Sequence, residues 1–172
     1  MTARRWIVLV FAFVAACAAS PGFRDTDVEI ASIVEFDSAR YAGTWYEVAR
    51  FPTSFQAGCT ETKAVYGVVD QDTLSVQNIC TRNGSLTDIT GTAKVVGPGR
   101  LKVRLKGVPF ASDYWVLWVD EGYRTAVVGL PSGRAGWILN RDPEIPGDRL
   151  RAAISILEFN GYDTSRLILA AP

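Results

Sequence analysis

Histidine is absent from all 172 residues. That removes the imidazole on which serine and cysteine triads, haem ligation and the usual zinc sites depend, so any catalysis would fall to carboxylates, lysines or thiols. An excess of charge of either sign is missing too. The 18 Lys and Arg balance 18 Asp and Glu, which leaves no basic footprint for nucleic acid. No P-loop, dinucleotide fingerprint or metal-ligand spacing occurs, and the acids are scattered instead of forming a pair across a cleft. No cofactor is implied. The single apolar run, Trp6 to Ala16, is too short to cross a bilayer as a mature helix.

What is present suits one globular domain: 48% hydrophobic and 21% charged residues, in a chain long enough to bury a core without a dense disulfide framework. Arg4 and Arg5 ahead of the apolar run have the layout of an export signal. Val14-Ala15-Ala16-Cys17 resembles the lipobox of bacterial lipoproteins. The resemblance implies cleavage after residue 16, acylation of Cys17 and, with Ala18 next, an outer-membrane address; ordinary cleavage after Ala18 is the alternative. Loss of Arg4 and Arg5 leaves 16 basic against 18 acidic residues, a net charge of −2. Residues 17–35, with Pro21, Gly22, Asp25, Asp27 and Glu29, read as a solvated tether. Residues 36–172 are left as the folded domain.

From Tyr41 onward, short alternating stretches are separated by turns. The alternation predicts strands over Trp45–Arg50, Thr60–Val69, Thr73–Cys80, Asp88–Val96, Leu101–Leu105, Asp113–Val119, Thr125–Gly129 and Gly136–Arg141. Leu101, Val103 and Leu105 alternate with Lys102 and Arg104, giving one dry and one wet face. The stretch around Trp115 is apolar on both faces and needs an outer cover. The period then changes: Leu150, Ile154 and Leu157 recur at helical spacing between Asp148, a candidate N-cap, and Asn160-Gly161. Arg166–Leu169 could add an edge strand. The fold class expected is all-β: an eight-stranded antiparallel up-and-down barrel with one C-terminal α-helix packed outside.

Three stretches give this pattern a family resemblance. Gly43-Thr44-Trp45-Tyr46-Glu47, Asp113-Tyr114-Trp115-Val116-Leu117 and Trp137-Ile138-Leu139-Asn140-Arg141 resemble, in order, the three motifs of the lipocalin family, in the form carried by bacterial outer-membrane lipocalin lipoproteins and apolipoprotein D. The resemblance covers about Phe36 to Leu169. It implies that Gly43, Trp45 and Arg141 close one end of the barrel, with the guanidinium over the indole. It also implies a non-enzymatic protein that stores or transports fatty acids or lysophospholipids, held at the periplasmic face of the outer membrane through lipidated Cys17. A homodimer is compatible with this reading.

Strand parity from Trp45, Leu101 and Tyr114 turns Ala64, Tyr66, Gly91, Ala93, Leu101, Val103, Leu105, Tyr114, Val116, Trp118 and Trp137 inward. From these the expected ligand contacts are Tyr66, Ala93, Leu101, Val103, Tyr114, Val116, Trp118 and Trp137, joined by Phe55 from the loop at the mouth. The same side chains could instead fill the barrel as core. Arg50, Lys106 and Phe110 are candidates for an anionic headgroup. Glu47 faces inward and needs partners, for which Tyr46 and Arg141 are the nearest suggestions. Cys59 and Cys80, on one hairpin of an exported protein, favour a disulfide, provided that Cys59 sits in a bulge or loop. A thiol-dependent enzyme is the competing reading.

Overall fold

The computed structural model describes residues 22–170. Cys17 and the apolar leader lie outside the described residues. A single turn, α1 (Ser38–Tyr41), is capped by Asp37, whose carboxylate accepts the Ala39 and Arg40 N–H groups, and it leads into the barrel. The strands are β1 (Gly43–Arg50), β2 (Glu61–Val68), β3 (Thr73–Arg82), β4 (Ser85–Gly97), β5 (Arg100–Leu105), β6 (Ser112–Val119), β7 (Thr125–Gly129) and β8 (Gly136–Asn140). Each pairs antiparallel with the next, and β1 pairs with both β8 and β2, so the sheet closes on itself. The chain forms the expected up-and-down barrel.

Closure gives the barrel two unlike ends. At one end α1, the β2–β3, β4–β5 and β6–β7 turns and residues 141–146 crowd together. At the other, the β1–β2, β3–β4, β5–β6 and β7–β8 connections surround an opening. Alternating side chains supply two cores. Trp45, Tyr66, Leu74, Leu101 and Val116 pack inside; Val48, Phe51, Leu117, Val127 and Ile138 pack outside, beneath a helix.

That helix, α2 (Gly147–Phe159), presses Ala153 and Leu157 onto the outer core over β6, β7 and β8. Its start differs from expectation. Pro146 occupies the N-cap position without a side-chain cap, and Asp148 lies in the first turn, where a carboxylate meets the positive end of the helix dipole. Its stop follows the Asn160-Gly161 reading, with Gly161 at φ +82°. A two-residue strand, β9 (Ile168–Leu169), pairs with Ala49 and Arg50 on the stretch of β1 that β2 leaves free.

Two expectations are corrected here. Residues 22–35 are a packed strap and not a free spacer. Phe23 stacks on Phe51 with centroids 5.1 Å apart, and its N–H donates to Gly133 O at 2.6 Å. Buried Arg24 donates to Asn160 O (2.7 Å), Pro131 O (3.0 Å) and Val28 O, and Ile33 N–H reaches Val116 O at 2.9 Å. The strap therefore runs from the open rim, past the end of α2, to the closed end. The second correction is Trp118. A bulge between Val116 and Trp118 interrupts the alternation of β6, so Leu117 and Trp118 both face outward into the core beneath α2, and Val119 returns inside.

Candidate ligand-binding cavity

The barrel floor is built on the first strand. Gly43 has φ +100°, and a Cβ there would stand 3.0 Å from Arg141 Nη1, so the glycine is what lets the guanidinium lie close to the backbone. Two residues on, Trp45 is fully buried; Arg141 sits 3.8 Å above its ring, and its Nε1–H donates to Tyr41 O at 2.7 Å. Arg141 is fixed in turn by the carbonyls of Tyr123, Thr44 and Arg40. The structure thus places Gly43, Trp45 and Arg141 together at the closed end.

Above this floor is a cluster of three phenols. Tyr114 Oη lies 2.7 Å from Tyr41 Oη and accepts from Tyr66 Oη at 2.9 Å. Burial pushes the Tyr66 hydroxyl up to about 12 and those of Tyr41 and Tyr114 well above their ordinary value. All three stay neutral and share protons among themselves, so the bottom of the cavity is polar but uncharged.

Over the phenols the barrel is open. A cavity of about 570 Å³ reaches from Tyr66, Val76 and Tyr114 to Phe55 and Phe110 at the mouth, a volume within the range of small-molecule sites. Of the residues expected to face a ligand, Phe55, Tyr66, Val103, Tyr114 and Trp137 line it, with Ala64 and Leu105. Ala93, Leu101 and Val116 point inward as expected, yet each is 0% exposed and packed into the core below the cavity. Trp118 is on the outer wall. Gly91 adds no volume either; its missing side chain lets the backbone of Arg104 and Leu105 come close.

The wall carries a polar chain that the sequence did not reveal. Glu47 accepts from Arg50 Nη1 at 2.9 Å and from Gln56 Nε2 at 2.5 Å, and Gln56 Oε1 accepts from Trp137 Nε1 at 3.1 Å and Thr53 Oγ1 at 2.9 Å. The partners of Glu47 are therefore Arg50 and Gln56, not Tyr46 or Arg141. Burial raises the Glu47 carboxyl above its ordinary value, while the bonds from Gln56 and Arg50 pull it back. Arg50 is consequently held inside this network instead of standing free for a headgroup. Gln56 comes from a 3-10 turn (Ser54–Gln56), where no periodicity marks a residue as buried.

Cys59 sits in the loop ahead of β2, and its sulfur bonds to that of Cys80 on β3, with Cα atoms 5.5 Å apart. The loop position supplies the offset that the hairpin register required. The disulfide lines the mouth side of the cavity and pins the β1–β2 loop, with Phe55 and Gln56, to the wall. Among the described residues, no group of three or more Cys, Asp or Glu side chains is placed to hold a metal.

The comparisons with known proteins agree with this geometry. Residues 36–172 match the model of the lipocalin-like domain. The chain is 36% identical to the putative lipocalin R877 of Acanthamoeba polyphaga mimivirus over 81% of its length and 87% of that protein. It is 36% identical to the outer membrane lipoprotein Blc of Escherichia coli K12, over 77% of each, and 30% identical to apolipoprotein D of Mus musculus, over 77% and 75%. In fold it is similar to insecticyanin of the tobacco hornworm, with a TM-score of 0.69, 20% identity and coverage of 88% and 87%. The chain belongs to the lipocalin family.

Proposed function

We propose that this lipocalin binds one fatty acid or lysophospholipid in its barrel and stores or transports it for maintenance of the bacterial envelope, without catalysing a reaction. The observation that carries the reading is the cavity: about 570 Å³, apolar along Val76, Val103 and Leu105, sealed below by Trp45 and open above at Phe55. A single acyl chain has the shape and polarity of that space. The neutral phenols below and the Glu47–Gln56–Arg50 network at the side offer hydrogen bonds to a ligand oxygen without placing an isolated charge in the tube.

The address belongs to the same proposal. Cys17, acylated, holds the protein at the periplasmic face of the outer membrane; the lipobox-like Val14–Cys17 and the similarity to an outer membrane lipoprotein support this. What speaks against the thiol-enzyme alternative is that both candidate sulfurs are joined in the Cys59–Cys80 bond, leaving neither as a thiolate. Native mass spectrometry of protein purified without detergent should reveal a bound acyl lipid. Added fatty acid should also quench Trp137 in the wild type and not in W137F. A barrel that stays empty and silent in both measurements removes the proposal.

A further inference from the structure

The open rim differs from the rest of the surface in three independent respects. The first is apolar exposure. Phe55 and Phe110, from two connections around the opening, and Leu86, at the start of β4 beside a third, are 68%, 79% and 71% exposed, with Val108 near Phe110. Large apolar side chains ringing an opening mark an interaction surface more than scattered single ones do.

The second is charge. The connections at the mouth carry Lys106 and Arg134 and no carboxylate, and the strand ends beside them add Arg82 and Glu61, so the rim is net positive although the protein as a whole is balanced. The segments at the closed end, residues 34–42, 69–72, 120–124 and 141–146, carry eight carboxylates against Arg40, Arg124 and Arg141. Exposed valines occur there too, but Val68 and Val69 are followed by Asp70 and Asp72. An anionic surface would attract one end of this barrel and repel the other.

The third is where the chain comes from. The strap begins at the mouth: Phe23 N–H is bonded to Gly133 O in the β7–β8 loop, and Arg24 locks the next residue to Pro131 and Asn160. Five Cα steps separate Gly22 from Cys17, a reach of at most roughly 18 Å fully extended. That is shorter than the path along one eight-residue strand, roughly 26 Å.

We infer that the open rim is a membrane-docking face, and that the barrel stands mouth-down on a phospholipid bilayer containing anionic headgroups, with Phe55, Leu86 and Phe110 in the headgroup layer and Arg82, Lys106 and Arg134 against phosphates. An acyl chain then passes between bilayer and cavity without crossing water. This rests on the lipid-binding reading and adds the source from which the ligand enters.

The test uses the full mature protein reconstituted into vesicles of phosphatidylethanolamine and phosphatidylglycerol. Leu86 and Lys106 belong to the rim but, unlike Phe110, do not line the cavity; Lys106 therefore stands outside the site for a bound headgroup, contrary to the sequence expectation, and changes at the two positions separate docking from binding. Phospholipids brominated on the acyl chain should quench L86W several-fold more than V96W, the latter reporting from the closed end. L86S/K106E should slow loading of a pyrene-labelled fatty acid from these vesicles by about tenfold or more, the combined loss of one inserted side chain and one phosphate contact. It should leave the affinity for the same fatty acid in solution unchanged. Equal quenching at the two ends, or wild-type loading by L86S/K106E, overturns the docking proposal. So does the finding that this double variant merely turns a dimer into a monomer. A wild type that binds no fatty acid in solution refutes the underlying lipid-binding reading instead, and the quenching pair still reports the orientation.

Discussion

Replacing Trp45 by alanine tests the floor of the barrel. The side chain is fully buried, carries a hydrogen bond of 2.7 Å to Tyr41 O, faces the Tyr41 ring at 5.0 Å and supports Arg141 at 3.8 Å. Truncating a buried tryptophan typically costs about 3–5 kcal/mol. The Arg141 contact, worth about 0.5–2 kcal/mol, is lost as well, which places W45A toward the upper part of the first range. The Tyr41 carbonyl is not orphaned, because Arg141 Nη2 remains 3.4 Å away, so no further penalty for an unpaired acceptor is due. For a chain of this size each kcal/mol shifts Tm by about 2–4 °C, so a fall of roughly 9–18 °C is expected. W45F keeps a ring beneath the guanidinium and loses mainly the donor, at about 1–2 kcal/mol. Urea titration followed by far-UV circular dichroism gives both values. A loss below about 1 kcal/mol for W45A would mean that Trp45 is not the plug.

Glu47 gives a pH signature. Its carboxyl is raised in the folded protein, so the stability linked to it is fully present below the ordinary carboxyl pKa and is lost as pH rises through the folded value. Against wild type, E47Q should therefore gain stability as the pH of parallel urea titrations is raised from strongly acidic to neutral, and identical pH profiles would refute the assignment. The Cys59–Cys80 bridge, which spans a sequence separation of 21, should contribute about 3 kcal/mol by loop closure; C59S/C80S should lose this much and also bind fatty acid more weakly, because Phe55 and Gln56 are released from the wall. R24M keeps the length of the buried stem but leaves the carbonyls of Asn160 and Pro131 without their donor. It should raise amide hydrogen exchange along residues 22–33, and unchanged protection there would show that Arg24 does not fasten the strap.

Much of the barrel could be read in the chain because each of its decisions is local. Leu101, Val103 and Leu105 alternate with charged residues, and the same period persists in β5; turns at Asp70–Asp72 and Asn83-Gly84 fall where hairpins form. The pairing of Trp45 with Arg141 is not local, and it was expected only because the Gly43–Glu47 and Trp137–Arg141 stretches resemble family motifs. Gln56, Tyr41 and the strap are not legible in the sequence for a common reason: each lies outside any periodic stretch, and each makes a hydrogen bond to a residue more than seventy positions away, Gln56 to Trp137, Tyr41 to Tyr114, and the strap to Gly133 and Val116. The strap also hides Phe23, Ile30 and Ile33 among Asp25, Asp27 and Glu29, so its composition reads as solvated while its apolar members pack.

The misplacement of Trp118 has a more specific cause. Parity is a rule for uninterrupted strands, and two strands of this barrel are interrupted, β1 between Glu47 and Ala49 and β6 between Val116 and Trp118. In each case two successive residues, Val48 with Ala49 and Leu117 with Trp118, turn to the outside, and all four belong to or pack on the core beneath α2. Each bulge thus widens the apolar seat for the one outer helix beyond what strict alternation could supply, and then resets the strand so that Arg50 and Val119 face inward. The inward turn of Arg50 is what brings its guanidinium to Glu47 and neutralises the buried carboxylate on the cavity wall. The irregularity that defeats a period-two reading of the sequence therefore does two things at once: it seats the helix, and it completes the polar network on the wall of the cavity.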